Sequence, residues 1–168
     1  MEKPKRFAAF DIDGTIFRSS LLIEIVEELI EIGLFPPSAR DAYEAPHKLW
    51  QDRSDSYDKY IMAVVDSFNQ YIQGINYSDF LTTVEKMMQR KKNRNYRYTR
   101  ELVSRLKKEG YFLLAISHSP KSVLDKFCQE LGFDKVYGRF YELGPGDKFT
   151  GKIVDEHLIA NKANIVKR

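Results

Sequence analysis

The order of apolar segments constrains this chain more than any other feature. One short apolar segment, Arg6 to Phe10, stands alone near the start. A long stretch of helical pattern follows, reaching about Lys92, before another strand-like segment occurs at Tyr111 to Ile116. From there strand and helix alternate: a helix over Lys121 to Leu131, a strand over Lys135 to Tyr141, and a short strand through Thr150 to Val154. A last helix starts near Ile159 and carries Lys162. Alternation of this kind predicts an α/β fold built on a parallel sheet with right-handed crossovers. The first segment is apolar without alternation, which predicts a strand buried on both faces.

The helical stretch divides at its own punctuation. Ser19 or Ser20 is the expected cap of a helix with Leu21, Leu22, Ile25, Val26, Leu29 and Ile30 on one side. Glu24, Glu27, Glu28 and Glu31 occupy the other, predicting an acidic outer face in solvent rather than a metal cluster. Gly33 and Pro36-Pro37 stop this helix. Further helices are expected over Ser38 to Asp52, Ser56 to Ile72, Ser78 to Lys92 and Tyr98 to Glu109. Pro120 suits the first turn of the helix that Gly132 closes.

Composition excludes several classes. Apolar residues make up 43% and charged residues 30%, the usage of a globular domain and not of a disordered one. The lone cysteine, Cys128, allows neither an intrachain disulfide nor a thiolate metal cage; with Val123, Leu124 and Leu131 it belongs to a core. No apolar run reaches membrane-spanning length, and the residues before Asp11 are too few for a signal-peptide core. A soluble cytoplasmic protein is the expectation. The net charge of +3 suits anionic substrates. Between Lys86 and Lys108 ten Lys and Arg residues face Glu101 alone, with Tyr96 and Tyr98 interleaved. That texture is shared by nucleic-acid binders, but no nucleic-acid motif accompanies it. The run is assigned to a solvated helix face in preference to a nucleic-acid partner.

The sharpest chemical feature is Phe10-Asp11-Ile12-Asp13-Gly14-Thr15. Two carboxylates two residues apart close an apolar strand, at the carboxyl end where open α/β sheets bind ligands. They either hold a hard cation such as Mg²⁺ or divide the roles of nucleophile and acid/base. Asp-Gly is also a turn dipeptide, yet Asp11 closes a buried strand where a bare carboxylate is costly, so a chemical role is favoured.

These residues resemble the first motif of the haloacid dehalogenase superfamily, Asp-x-Asp-Gly-Thr after an N-terminal strand. Ser117, closing the apolar run Tyr111 to Ile116, resembles the second motif, and Lys162 near a helix start resembles the third-motif lysine. Gly144 to Gly151 and Lys152-Ile153-Val154 resemble the hairpin of the phosphoserine-phosphatase-like branch. The helical block sits where that branch inserts its cap. The resemblance implies a core of residues 1–17 and 95–168 with a helical cap over 18–94. It implies a phosphatase acting on a small phosphorylated metabolite through an aspartyl phosphate. Asp11 would be the nucleophile and Asp13 the acid/base. Ser117, His118 and Lys162 would hold the phosphate, and Mg²⁺ would sit between Asp11 and the backbone carbonyl of Asp13.

Two positions depart from the family pattern. Ser20 stands where phosphoserine phosphatases carry a glutamate that reads the substrate amino group. After Lys162 only Ala163 to Arg168 follow, so the fourth motif, an acidic pair that completes Mg²⁺ ligation, does not occur; Asp147, Asp155 and Glu156 precede the lysine. Weak Mg²⁺ affinity and impaired turnover are therefore expected of these 168 residues. So is an uncovered sheet edge open to self-association. A non-catalytic phosphate- or ligand-binding protein on the same fold is the alternative.

Overall fold

The structure is a computed structural model that describes residues 6–154 and 162–166. Asp155, Glu156 and the helix start expected at Ile159 lie outside the described residues. Four strands, β1 (Phe7–Asp11), β2 (Phe112–Pro120), β3 (Lys135–Gly144) and β4 (Lys148–Val154), form a sheet of order β1-β2-β3-β4. β1 and β2 pair in parallel, as do β2 and β3. The register sets Asp11, the end of β1, level with Ile116 of β2 and Tyr137 of β3, and both of those strands run on past it to Pro120 and Gly144. Leu113 to Ile116 are buried on both faces, as a central parallel strand requires. β1 is not: Phe7 is 53% exposed and Ala9 is also open. The expected two-sided burial fails on one face, the one that Phe7 and Ala9 share two residues apart, which the described residues leave open.

The α/β architecture with a helical insertion after β1 matches the sequence reading. The chain clusters into two compact units. One comprises Met1–Leu21, Val84–Phe140 and Ile153–Arg168. It holds the parallel strands together with α5 (Arg97–Lys108), α6 (Lys121–Leu131) and a short α7 (Lys162–Val166). α6 buries Val123, Leu124, Phe127 and Cys128 and ends at Gly132 in the left-handed conformation. Burial pushes the Cys128 thiol pKa far above its usual range, as a core cysteine requires. Gly138 of β3 lets α6 approach closely. A Cβ there would stand 2.5 Å from Leu124 Cδ1, 2.9 Å from Lys121 Cα and 3.0 Å from the Ser119 carbonyl oxygen.

The other unit comprises Leu22–Thr83 and Tyr141–Lys152. Its helices are α1 (Leu21–Glu31), α2 (Asp41–Gln51), α3 (Tyr57–Ile72) and α4 (Tyr77–Lys91), the last continuing past the unit. Phe35, Phe68, Ile72 and Phe80 form its fully buried centre. Phe68 meets Tyr141 edge-on at 5.1 Å, and Phe80 meets Phe149 at 5.3 Å. The expected helix over Ser38 to Asp52 divides into a 3₁₀ turn at Pro37–Arg40 and α2, because the Ala39 N–H closes back on the Pro36 carbonyl. The acidic outer face expected for α1 is also corrected. Glu24 and Glu28 are only 8% and 2% exposed. Glu27 accepts from the Arg40 guanidinium at 2.8 Å and from the Tyr43 hydroxyl at 2.5 Å. Polarity alone read these carboxylates as solvated, whereas Glu24 and Glu28 are buried and partners from α2 and the turn before it hold Glu27.

Candidate active site

Asp11 is the last residue of β1, and the chain then folds tightly on itself. The Ile12 carbonyl accepts from the N–H groups of Thr15, Ile16 and Phe17 at 2.9–3.2 Å. Gly14 takes φ +74°, a left-handed turn that glycine adopts without strain, and its N–H reaches the carbonyls of Phe17 and Ser19. Ile12, Ile16 and Phe17 are fully buried, and Phe17 meets Phe127 edge-on at 5.5 Å. The Thr99 hydroxyl donates to the Thr15 carbonyl at 2.9 Å, pinning the loop from outside. Such a loop holds its carboxylates in fixed positions.

The two carboxylates meet opposite surroundings. Asp11 is paired with Lys162, Nζ to Oδ1 at 2.5 Å, in a partly exposed setting with side-chain exposures of 40% and 36%. The Thr15 hydroxyl donates to its other oxygen at 3.3 Å. Asp13 is enclosed by three donors: the Leu21 N–H at 2.6 Å on Oδ1, and the hydroxyls of Ser117 and of Ser119, the latter at 2.9 Å, on Oδ2. Burial is the largest influence on Asp13 and raises its pKa above the usual 3.8. The bonds from Ser117, Leu21 and Ser119 pull the other way, and the nearby Asp11 adds to the rise.

The structure thus gathers Asp11, Asp13, Ser117 and Lys162. His118 stands exposed between the two inward serines, as strand alternation dictates. Two partners of Asp13 escaped the sequence reading. Ser119 had a signal, since Ser-x-Ser at a strand end puts both hydroxyls on one face. The Leu21 N–H had none: the first N–H of α1 is bonded by Asp13 and not by Ser19 or Ser20. The Ser119 N–H donates to Ser117 Oγ at 3.0 Å, so Ser117 is fixed from both sides. Beside Asp11 and Lys162 a cavity of about 210 Å³ opens among Ala9, Phe10, Ile116, Ala163 and Val166.

A profile described as haloacid dehalogenase-like hydrolase matches residues 8–168. The chain belongs to that family. No curated protein matches the sequence. Among solved structures, a protein of unknown function from Bordetella pertussis Tohama I is similar with a TM-score of 0.69 at 13% identity, over 91% of this chain and 68% of that one. A phospho-aspartyl intermediate analogue of phosphoserine phosphatase gives 0.55 at 18% identity, over 90% of this chain and 63% of that one. Phosphoserine phosphatase from T. onnurineus in complex with NDSB-201 gives 0.54 at 26% identity, over 99% and 72%.

Members of this family are typically Mg²⁺-dependent. Among the described residues no three His, Cys, Asp or Glu side chains gather as a metal cluster. The Asp13 carboxylate is occupied by its three donors, so the hard donor that the loop leaves beside the cavity is the Asp11 carboxylate. Such a donor fits Mg²⁺, which keeps several waters and binds through one or two protein carboxylates plus substrate phosphate. Among the described residues no helix is long and apolar enough to cross a membrane.

Proposed function

We propose that this chain is a Mg²⁺-dependent phosphatase that hydrolyses a small phosphomonoester through an aspartyl phosphate on Asp11. One observation carries the reading. Two carboxyl groups of one rigid loop are held in contrasting states, Asp11 against a lysine ammonium and Asp13 enclosed with its pKa raised. A carboxyl group whose burial favours its neutral form suits the acid, and the more open carboxylate beside the lysine suits the nucleophile.

Asp11 attacks phosphorus, the ester P–O bond breaks, and Asp13 gives its proton to the departing oxygen. The Asp13 carboxylate then takes a proton from water as that water attacks phosphorus. The Asp11–phosphorus bond breaks, and inorganic phosphate leaves with both carboxyl groups restored. Lys162 holds positive charge against the phosphoryl oxygens. Ser117 turns its hydroxyl from Asp13 to phosphate. Ser119 keeps Asp13 oriented while Ser117 is engaged. Mg²⁺, which the Asp11 carboxylate would hold, would supply the positive charge that offsets repulsion between that carboxylate and the phosphoryl dianion. The few hard donors among the described residues would give weak metal affinity, so millimolar Mg²⁺ is the regime to examine. That small donor set is also what favours the second reading, a phosphate-binding protein on the same fold without turnover.

Hydrolysis of p-nitrophenyl phosphate with and without Mg²⁺, and trapping with beryllium fluoride, test the proposal. Mg²⁺-dependent turnover should fall by at least about 10³-fold in Asp11→Asn, with loss of trapping. Trapping without turnover establishes the second reading. Turnover that survives Asp11→Asn removes the first.

A further inference from the structure

The strongly charged surface that the phosphatase reading leaves unused is the outer side of α5. Its packed side is narrow: Thr99, Leu102, Val103 and Leu106 face inward, and Val103 alone is fully buried. At 100° per residue, Arg97, Arg100, Glu101, Ser104, Arg105 and Lys108 fall on the opposite arc, and every one of them is exposed. Tyr98 is 73% exposed, and a spacing of seven residues aligns it with Arg105. Just before the helix Tyr96 is 44% exposed, and the Arg18 guanidinium lies over its ring at 5.8 Å. Arg94 is exposed beside it, and its carbonyl accepts from the Arg18 N–H at 2.8 Å.

This concentration of charge is not a property of the whole chain. Ten Lys and Arg face one acid between Lys86 and Lys108, while the net charge of the protein is only +3, so the remaining residues are net acidic. The first turn of α5 contains no acidic residue, although like charges there repel one another and the helix dipole. The intrahelical pair Arg97–Glu101 is solvent-exposed and so weak that it opens readily to a better anion.

We propose that the outer face of α5, with Tyr96 and Arg18 at its start, binds single-stranded nucleic acid. Charge complementarity calls for a polyanion. The exposed rings select among polyanions, because bases stack on tyrosine and on arginine planes whereas polyphosphate offers nothing to stack. An anionic membrane fits less well, since the outer arc carries no aliphatic side chain to enter the lipid. The sequence assigned this run to a solvated helix face, and the exposure of Tyr98 and Tyr96 beside the charges is what turns the preference to a nucleic acid.

The test is fluorescence anisotropy of the intact protein with a fluorescein-labelled twelve-nucleotide oligo(dT), between about 50 and 200 mM salt. Four phosphate contacts, from Arg97, Arg100, Arg105 and Lys108, predict a log–log salt slope of about −3. Arg97→Ala with Arg100→Ala should reduce it to about −1.4. Tyr98→Ala should weaken binding about tenfold with the slope unchanged, and Tyr98→Phe should restore it. No binding at the lowest salt overturns the proposal. So does equal affinity for inorganic polyphosphate with no effect of Tyr98→Ala. Preferential binding to phosphatidylserine vesicles, unaffected by oligo(dT), overturns it in favour of a membrane surface. Every substituted side chain is solvent-exposed, and circular dichroism verifies that each variant is folded.

Discussion

At the scale of single residues, Asp13 sets a conflict between stability and chemistry. Its folded pKa lies above the unfolded value of 3.8, chiefly through burial. The native state therefore binds more protons than the unfolded chain between those two values. Stability falls as pH rises through that window and stays low above it. Asp13→Asn removes the ionisation and still accepts a hydrogen bond from Leu21. Its melting temperature should exceed that of the parent by a few degrees near neutral pH, at about 2–4 °C per kcal/mol, with turnover lost. The gap should close on acidification to about pH 4. A gap that is independent of pH would place the cost elsewhere. The residues that make this site were unequally legible in the sequence. Asp11 and Asp13 could be read because a strand end and a turn glycine announce them, whereas Ser117 and Lys162 were legible only through the family resemblance. The donors to Asp13 could not, since a backbone N–H has no sequence signature and Ser119 reads equally well as a helix cap. Glu24 and Glu28 misled because burial of a side chain depends on packing that the local sequence does not record.

At the scale of elements, the packing of α6 on β3 and the integrity of the site are one matter. Gly138 admits the helix only because it lacks a side chain, and two of the three atoms a Cβ would meet are backbone. Backbone yields less than a rotamer does, so Gly138→Ala should cost about 1–3 kcal/mol. The Ser119 carbonyl is one of those atoms, so the strain reaches a residue that holds Asp13. Turnover should fall alongside the melting temperature, more than in a core substitution of equal cost such as Val103→Ala in α5. Equal losses in the two variants would separate packing from the site. Elements bounded by proline and glycine were read well: α6 runs from Lys121 to Leu131 as expected, closed by Gly132. β2 was read short, ending at Pro120 and not Ile116, because Ser-His-Ser lacks the apolar texture by which a strand is recognised.

At the scale of the whole molecule, the outer side of β1 has no partner among the described strands, and Phe7 there is exposed. Unpaired strand edges recruit other strands. Sedimentation velocity should show concentration-dependent association, and Phe7→Lys should suppress it. Association that ignores this substitution would assign the contact to another surface. The sequence revealed the α/β class and the helical insertion, because apolar order survives without coordinates. It did not reveal that the hairpin residues Tyr141–Lys152 cluster with the helices, a matter of the long-range aromatic contacts of Phe68 and Phe80 with Tyr141 and Phe149.

The sealed position of Cys128 makes the protein its own clock. The chain has one thiol, fully buried on α6 and unreactive while its pKa is raised. A thiol reagent can therefore modify it only during moments when α6 lifts from the sheet. Where closing outruns labelling, the rate of modification reports the free energy of that opening in native buffer, without denaturant. Gly138→Ala should speed the clock, and a phosphate analogue that grips Ser117 and Lys162 should slow it.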